Sequence, residues 1–298
     1  MKKFYVFLCF VLIINLFSCR YGPYLYYFGE ADVDERSSSF ANVEAPSLLP
    51  GDAGVYSFLV ISDSHFGSPT NFREDDFFNS LNKLLEDTSD EYIKNLRFAI
   101  NLGDVADFGV TENYESYNKF MGKVASIIKE KNGLTEFKNY AIPGNHDLYR
   151  MGWENFKKNI EPHNARYYFD LDSDGNEATP SFRFLFLDTA NSMLGNTQLE
   201  QLKTLLSEKK PSIVFSHYSL YGSFLFTMQN TIERNKLIKY FSDSNVMNVF
   251  EGHSHKNNYY ELSDIKVNTV PSFLYDGEFY VVLVDEVNAT TSVKHYKY

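Results

Sequence analysis

The 298-residue chain has only two cysteines, Cys9 inside its first apolar run and Cys19 just after that run. If the run is removed and Cys19 is modified, no thiol is left for a disulfide in the mature protein. Glycine and proline are sparse, at 16 and 9, while 44% of residues are hydrophobic and 17% aromatic. Such a chain is able to bury a full core, and one large domain is the default expectation. A basic stripe is also missing. The formal net charge is -11, and the short lysine groups (Lys129 with Lys131, Lys209 with Lys210) fall at expected helix ends, where cations complement the helix dipole. Nucleic-acid polymers are therefore not expected partners. No internal repeat or low-complexity tract occurs.

Lys2 and Lys3 precede an apolar run from Phe4 to Phe17, the order of a secretory signal's n-region and h-region. The run spans 14 residues, against the roughly 20 a membrane-spanning helix requires. It closes on Leu16-Phe17-Ser18-Cys19, which resembles a bacterial lipobox, with Phe17 a less usual residue at its position. That resemblance implies removal of residues 1–18, lipidation of Cys19, and an exported protein anchored on the periplasmic face or at the cell surface. An uncleaved anchor and ordinary signal cleavage are the alternatives. Losing two lysines with the signal would take the formal charge from -11 to -13. Residues 19–54 have no sustained period and read as a tether, with an aromatic patch at Tyr24, Tyr26, Tyr27 and Phe28 and with Pro46, Pro50 and Gly51 near its end. Those aromatics are expected at a membrane interface or folded back on the domain.

From residue 55 to 298 the texture is that of a single α/β domain. Val55 to Ile61 is a near-continuous apolar run, as for a strand buried on both faces. A helix is predicted where Phe77, Leu81, Leu84 and Leu85 fall on one face, then a strand at Leu96 to Leu102. A second helix carries Tyr117, Phe120, Met121, Val124, Ile127 and Ile128 and closes at Asn132-Gly133, ahead of a strand at Phe137 to Ile142. Two strands, Tyr167 to Leu171 and Phe182 to Leu187, flank a turn-rich tip. Its Asp170, Asp172, Asp174 and Gly175 open like a calcium loop, but Ser181 stands where the loop needs Glu, so a plain hairpin turn is favoured. Helices are predicted around Leu199 to Leu206 and Ile232 to Phe241, and strands at Ser212 to Phe215 and Val246 to Phe250. The remainder, Ile265 to Val270, Phe279 to Val284 and Thr290 to Tyr296, reads as successive antiparallel strands.

Five short segments follow predicted strands, and each carries a metal-competent side chain: Asp63-Ser64-His65, Gly103-Asp104, Gly144-Asn145-His146-Asp147, Ser216-His217-Tyr218 and Gly252-His253-Ser254-His255. In open α/β sheets, sites collect beyond the carboxyl ends of the strands, so the five should meet at one edge. Strand alternation would point Asp63 and His65 the same way, and likewise His253 and His255. Glycine before a ligand lets the backbone turn tightly, and the two oxygens of Asp104 suit it to bridge two cations.

In order and spacing the set resembles the calcineurin-like metallophosphoesterases (D-x-H, G-D, G-N-H-D, H, G-H-x-H), over about two thirds of the chain. The resemblance implies a β-sandwich of two mixed sheets flanked by helices. It also implies two divalent metal ions (Mn, Fe, Zn or Co), one held by Asp63, His65, Asp104 and His255 and the other by Asp104, Asn145, His217 and His253. Ions about 3.5 to 4 Å apart activate a water for in-line attack on phosphorus, which needs no covalent nucleophile on the enzyme. His146 would donate to a phosphate oxygen or protonate the leaving group, with Asp147 setting its tautomer. Purple acid phosphatases, a branch of the same family, have a tyrosine ligand where this chain has Asp107, so a tyrosine-bound ferric centre is disfavoured. Asp107 is expected to be a helix N-cap or a carboxylate behind the ligands.

The expected function is hydrolysis of small phosphate esters, nucleotides or lipid head groups, with diesters somewhat favoured over monoesters. An inactive surface lipoprotein that keeps the fold for binding is the alternative. Tyr149 and Tyr218 are candidate substrate contacts. Trp153, Phe156, Tyr167 and Tyr168 are read as core before pocket wall, and His163 and His295 as ordinary surface histidines.

Overall fold

The computed structural model describes residues 32–49, 51–52, 54–172 and 181–298. Cys19, the aromatic patch at Tyr24 to Phe28, and Asp174 and Gly175 of the tip lie outside them.

Strand β2 (Val55–Ile61) shows how the sequence builds the layers. Successive side chains on a strand point to opposite faces. Tyr56, Phe58 and Val60 enter an aromatic core between two sheets, whereas Leu59 and Ile61 enter a second core beneath helices. Both faces are buried, which is why the run is apolar throughout. Its sheet continues with β3 (Leu96–Asn101) and β4 (Asn139–Ala141), both parallel to their neighbours, and with a C-terminal hairpin, β11 (Glu278–Asp285) and β12 (Thr290–Lys297), in the order β12-β11-β2-β3-β4. The outer face is covered by α2 (Glu74–Glu86), α3 (Glu91–Lys94), α4 (Thr111–Asn132) and α5 (Trp153–Asn159). Gly133 ends α4 with φ +67°, the left-handed backbone that glycine adopts without strain.

The second sheet runs β1-β5-β6-β7-β8-β10-β9 through β1 (Ala41–Asn42), β5 (Tyr167–Leu171), β6 (Phe182–Phe186), β7 (Ser212–Ser216), β8 (Val246–Glu251), β9 (Asn258–Leu262) and β10 (Ile265–Thr269). Helices α6 (Asn196–Leu206) and α7 (Thr231–Ser242) cover its outer face. The result is two mixed sheets face to face, flanked by helices, as expected. Between them Phe58, Phe98, Phe169, Phe184, Phe215 and Phe250 stack or meet edge to face.

Two regions differ from the expected pattern. The last strands are not one antiparallel series: β10 pairs parallel with β8 and antiparallel with β9 in the other sheet, and only β11 and β12 form the predicted hairpin. Strand β9 has an exposed, polar-rich pattern, so its hydrophobicity gave no signal. Second, the described part of the expected tether is docked on the domain. Residues Val33–Arg36 form α1, capped by the Asp32 carboxylate, and Ala41–Asn42 add to β5. The Arg36 guanidinium donates to both carboxylate oxygens of Asp188 at 2.7 and 2.8 Å, with both side chains fully buried. Nothing in local periodicity announces a pair 152 positions apart. Arg36→Ala would leave the Asp188 charge buried, and urea unfolding should show a loss of about 3 kcal/mol or more.

Candidate metal centre

Strands β2, β3, β4, β7 and β8 all release their chains at the same edge of the sandwich, and the five motifs follow their carboxyl ends. Asp63 and His65 lie beyond β2, and His253 and His255 beyond β8, so strand alternation does not set their directions. Left-handed backbone does. Asp63, His65, Asp104, His253 and His255 have φ between +41° and +64°. For residues with a Cβ, such conformations cost about 1 kcal/mol or more each and persist where the surroundings or a function hold them. The glycines allow the close approach: a Cβ on Gly144 would lie 2.2 Å from Asp104 Oδ1, and one on Gly252 would lie 2.1 Å from Ser62 Oγ.

The donors gather in two groups around Asp104. On one side His255 Nε2 is 3.1 Å from Asp63 Oδ1 and 3.4 Å from His65 Nε2. On the other, His217 Nε2 is 3.1 Å from Asn145 Oδ1, and His253 completes a cluster with His217 and Asp104. Asp104 Oδ2 faces both sides, 4.0 Å from His65 Nε2 and 3.4 Å from His217 Nε2. Its Oδ1 accepts the His146 backbone N–H at 2.8 Å, so a single oxygen is left between the two groups.

The donor set fits cations on its own chemistry. His217 Nδ1 donates to the Leu102 carbonyl at 2.9 Å, which leaves its Nε2 facing two acceptors, Asn145 Oδ1 and Asp104 Oδ2. Acceptors held together in a buried place need a proton or a metal ion between them. His65 Nδ1 is buried without a hydrogen-bond partner, 3.6 Å from Asp107 Oδ1. His253 Nε2 donates to the Leu225 carbonyl at 3.2 Å, which reserves its Nδ1 for the site.

The profile of the calcineurin-like phosphoesterases matches residues 56–257. The chain belongs to that family. Among solved structures, it is similar to a dimetal phosphatase from Danio rerio (12% identity, TM-score 0.57, covering 81% of this chain and 96% of that one). It is also similar to GAP50, the anchor in the inner membrane complex of Plasmodium (16%, 0.58, 82% and 84%). A purple acid phosphatase from yellow lupin seeds (14%, 0.54) is covered over 52% of its length by 84% of this chain. At these identities the likenesses establish the fold. No match is found among curated proteins. The family implies divalent metal ions, and the His and Asp clusters here are of the kind that hold them.

Beside the metal-family donors, His146 presents its ring edge-on to His65, with centroids 4.6 Å apart, and its Nδ1 contacts the Asp107 carbonyl oxygen at 2.9 Å. That carbonyl, and not Asp147, orients the ring. Asp147 is wholly buried and accepts from the backbone N–H groups of Val105, Ala106 and Gly144 at 2.9 to 3.1 Å, with the Tyr114 hydroxyl at 3.2 Å. It ties the Asp104 loop to the Asn145 loop. Asp107 is not the N-cap of α4, which begins after Val110; its carboxylate lies behind His65 and His146.

Tyr149 lies against His146, with ring centroids 4.5 Å apart and the planes tilted by 39°, and Tyr218 lies against His253 at 4.0 Å and 35°. Tyr275, which no motif marks, stacks on His255 at 5.5 Å and lies tilted beside His65 at 5.6 Å. It follows the last motif by 20 residues and carries no spacing signal. Trp153, Phe156 and Tyr167 are buried core, while His163 and His295 pair with Glu161 and Glu278 at the surface.

Burial opposes charge on Asp104, yet the imidazole of His217 holds its carboxyl well below the usual range. Burial likewise opposes charge on His217, but Asp104 and Asp63 push its pKa up to about 9. Burial and neighbouring His217 pull His253 down to about 4. A cation entering beside His217 must therefore displace a proton at neutral pH. Titration calorimetry in buffers of different ionisation enthalpy should show proton release on metal uptake at pH 7, and affinity should fall as pH is lowered. The sign reverses for the metal-free fold. Its His217 pKa is raised above the unfolded 6.5, so the stability this group contributes is complete below pH 6.5 and is lost as pH rises through about 9.

Proposed function

We propose that the protein is a dinuclear metal-dependent hydrolase of phosphate esters, acting on small substrates outside the cytoplasm from a lipidated Cys19. The observation that carries this reading is the placement of Asp104 Oδ2 between two histidine-bearing clusters with His146 beside them. Asp63, His65, Asp104 and His255 would hold one ion, and Asp104, Asn145, His217 and His253 the other. When bound, the pair supplies Lewis acidity toward phosphoryl oxygens and activates water at neutral pH.

The residues of the chain account for the rest. Hydrogen bonds to Leu102 and Leu225 fix the tautomers of His217 and His253, so the nitrogens that face the site are unprotonated donors once ions replace protons. His146 donates from Nδ1 to the Asp107 carbonyl, so only the imidazolium form carries a proton on Nε2 to give to a phosphate oxygen or to the leaving alkoxide, and it returns to the neutral ring when it does. Tyr149, Tyr218 and Tyr275 lie against three site histidines and limit their rotation. The alternative, an inactive binding lipoprotein, would be marked by a lost ligand or a replaced His146, and all eight positions are filled. Full-length protein with added Mn should hydrolyse a bis-aryl phosphate, and to a lesser degree an aryl monophosphate or a nucleotide. Turnover no greater than the metal-only blank on the whole panel would refute catalysis.

A further inference from the structure

The loop between β7 and α7 carries three large apolar side chains that the fold leaves in water: Tyr221, Phe224 and Leu225 are 71%, 67% and 68% exposed. Walls of a small-molecule pocket are half-buried, whereas this loop presents two adjacent apolar residues at a tip. The tip is continuous with the metal centre. The Leu225 carbonyl accepts from His253 Nε2, and the Phe226 ring lies 5.8 Å from the His253 ring with Lys256 above it.

The segment after Asp32 packs beside the same loop. Val33 is next to Gly195, Leu194 N–H donates to Glu233, and Gln229 N–H donates to the Ser192 carbonyl. Asp32 therefore emerges beside the base of the same loop. Twelve residues, 20 to 31, separate it from Cys19, the residue read above as lipidated. Fully extended, that stretch reaches at most about 45 Å. A membrane held by the N-terminus is within reach of the rim that carries the tip and the metal centre.

We propose that Tyr221, Phe224 and Leu225 enter the interface of a phospholipid bilayer and seat the metal centre over lipid head groups, so that the substrate is the phosphate ester of a membrane lipid. This rests on the phosphoesterase reading and narrows its substrate class. Phenylalanine and leucine lose water-exposed area in the acyl boundary, and tyrosine suits the polar interface above it. Lys256 is placed to meet a head-group phosphate. The net charge of -11 disfavours strongly anionic surfaces, so the contact is expected to be driven by the apolar tip on mainly zwitterionic lipid.

The chain has one tryptophan, Trp153, which is buried, so single reporters are clean in a Trp153→Phe background. Phe224→Trp would report the tip. Val287→Trp, in the β11–β12 turn at the opposite end of the sandwich and 62% exposed, is the control. On full-length protein with phosphatidylcholine vesicles containing a brominated acyl chain, the first should blue-shift and lose at least half its emission, and the second should do neither. In parallel, Tyr221→Ser with Phe224→Ser should lower the ratio of vesicle-lipid to bis-aryl phosphate turnover at least tenfold. Equal quenching at the two positions, or an unchanged ratio, overturns the proposal. Absence of bis-aryl turnover in the unaltered protein would instead count against the phosphoesterase reading, and the quenching would still decide the docking.

Discussion

Asp104→Asn should strip the protein of both metal ions and lower kcat/KM for a bis-aryl phosphate by about 10³-fold or more. The side chain keeps its shape, so the expected loss is one of charge. Among the described residues, Asp104 Oδ2 is the oxygen placed between the two clusters, because Oδ1 is engaged by the His146 amide. An amide there brings no formal charge to offset two cations, and its NH₂ group would point a donor at His217 or at the ion. Elemental analysis of the purified variant, beside circular dichroism to show that it is folded, checks both halves. Retention of two ions per chain would mean that the aspartate does not bridge.

His146→Ala has the opposite profile. Metal content should stay at two ions per chain while kcat falls by about 10² to 10⁴-fold, the span typical of a general acid or electrostatic donor. The ring groups with His65 and Asp107, and not with Asp63 and His255 or with His217 and His253, and its anchor is a backbone carbonyl that survives its removal. The fall should be smaller for substrates whose leaving group is an acidic phenol, which departs without a proton, than for an alkyl ester. Equal losses on both would point to a role in binding phosphate.

Much of this site was legible in the sequence because its donors sit in short motifs next to strands whose apolar runs are conspicuous. Val55 to Ile61 and Ser212 to Phe215 are buried on both faces, and such runs fix where a loop begins. What the strands could not supply was direction. Alternation accounts for neither Asp63 with His65 nor His253 with His255, since all four stand past the ends of β2 and β8 in left-handed backbone, a state composition does not advertise. The role of Asp147 is hidden from the sequence for a related reason. Adjacency to His146 suggested a partner, but the turn at His146–Leu148 sends the carboxylate inward to the amides of another loop. Contacts between distant segments, such as Arg36 with Asp188 or Tyr275 with His255, have no local period and emerge only from the fold. The same holds for β10, whose five residues would suit either sheet and whose partner is settled by packing against β8.

The central claim is that one carboxylate oxygen and six further side chains gather two cations. Anomalous diffraction from crystals grown with Mn tests it most directly. Two peaks about 3.5 to 4 Å apart are expected, both touching Asp104, one flanked by Asp63, His65 and His255 and the other by Asn145, His217 and His253. A single peak, or peaks displaced from Asp104, would contradict the account.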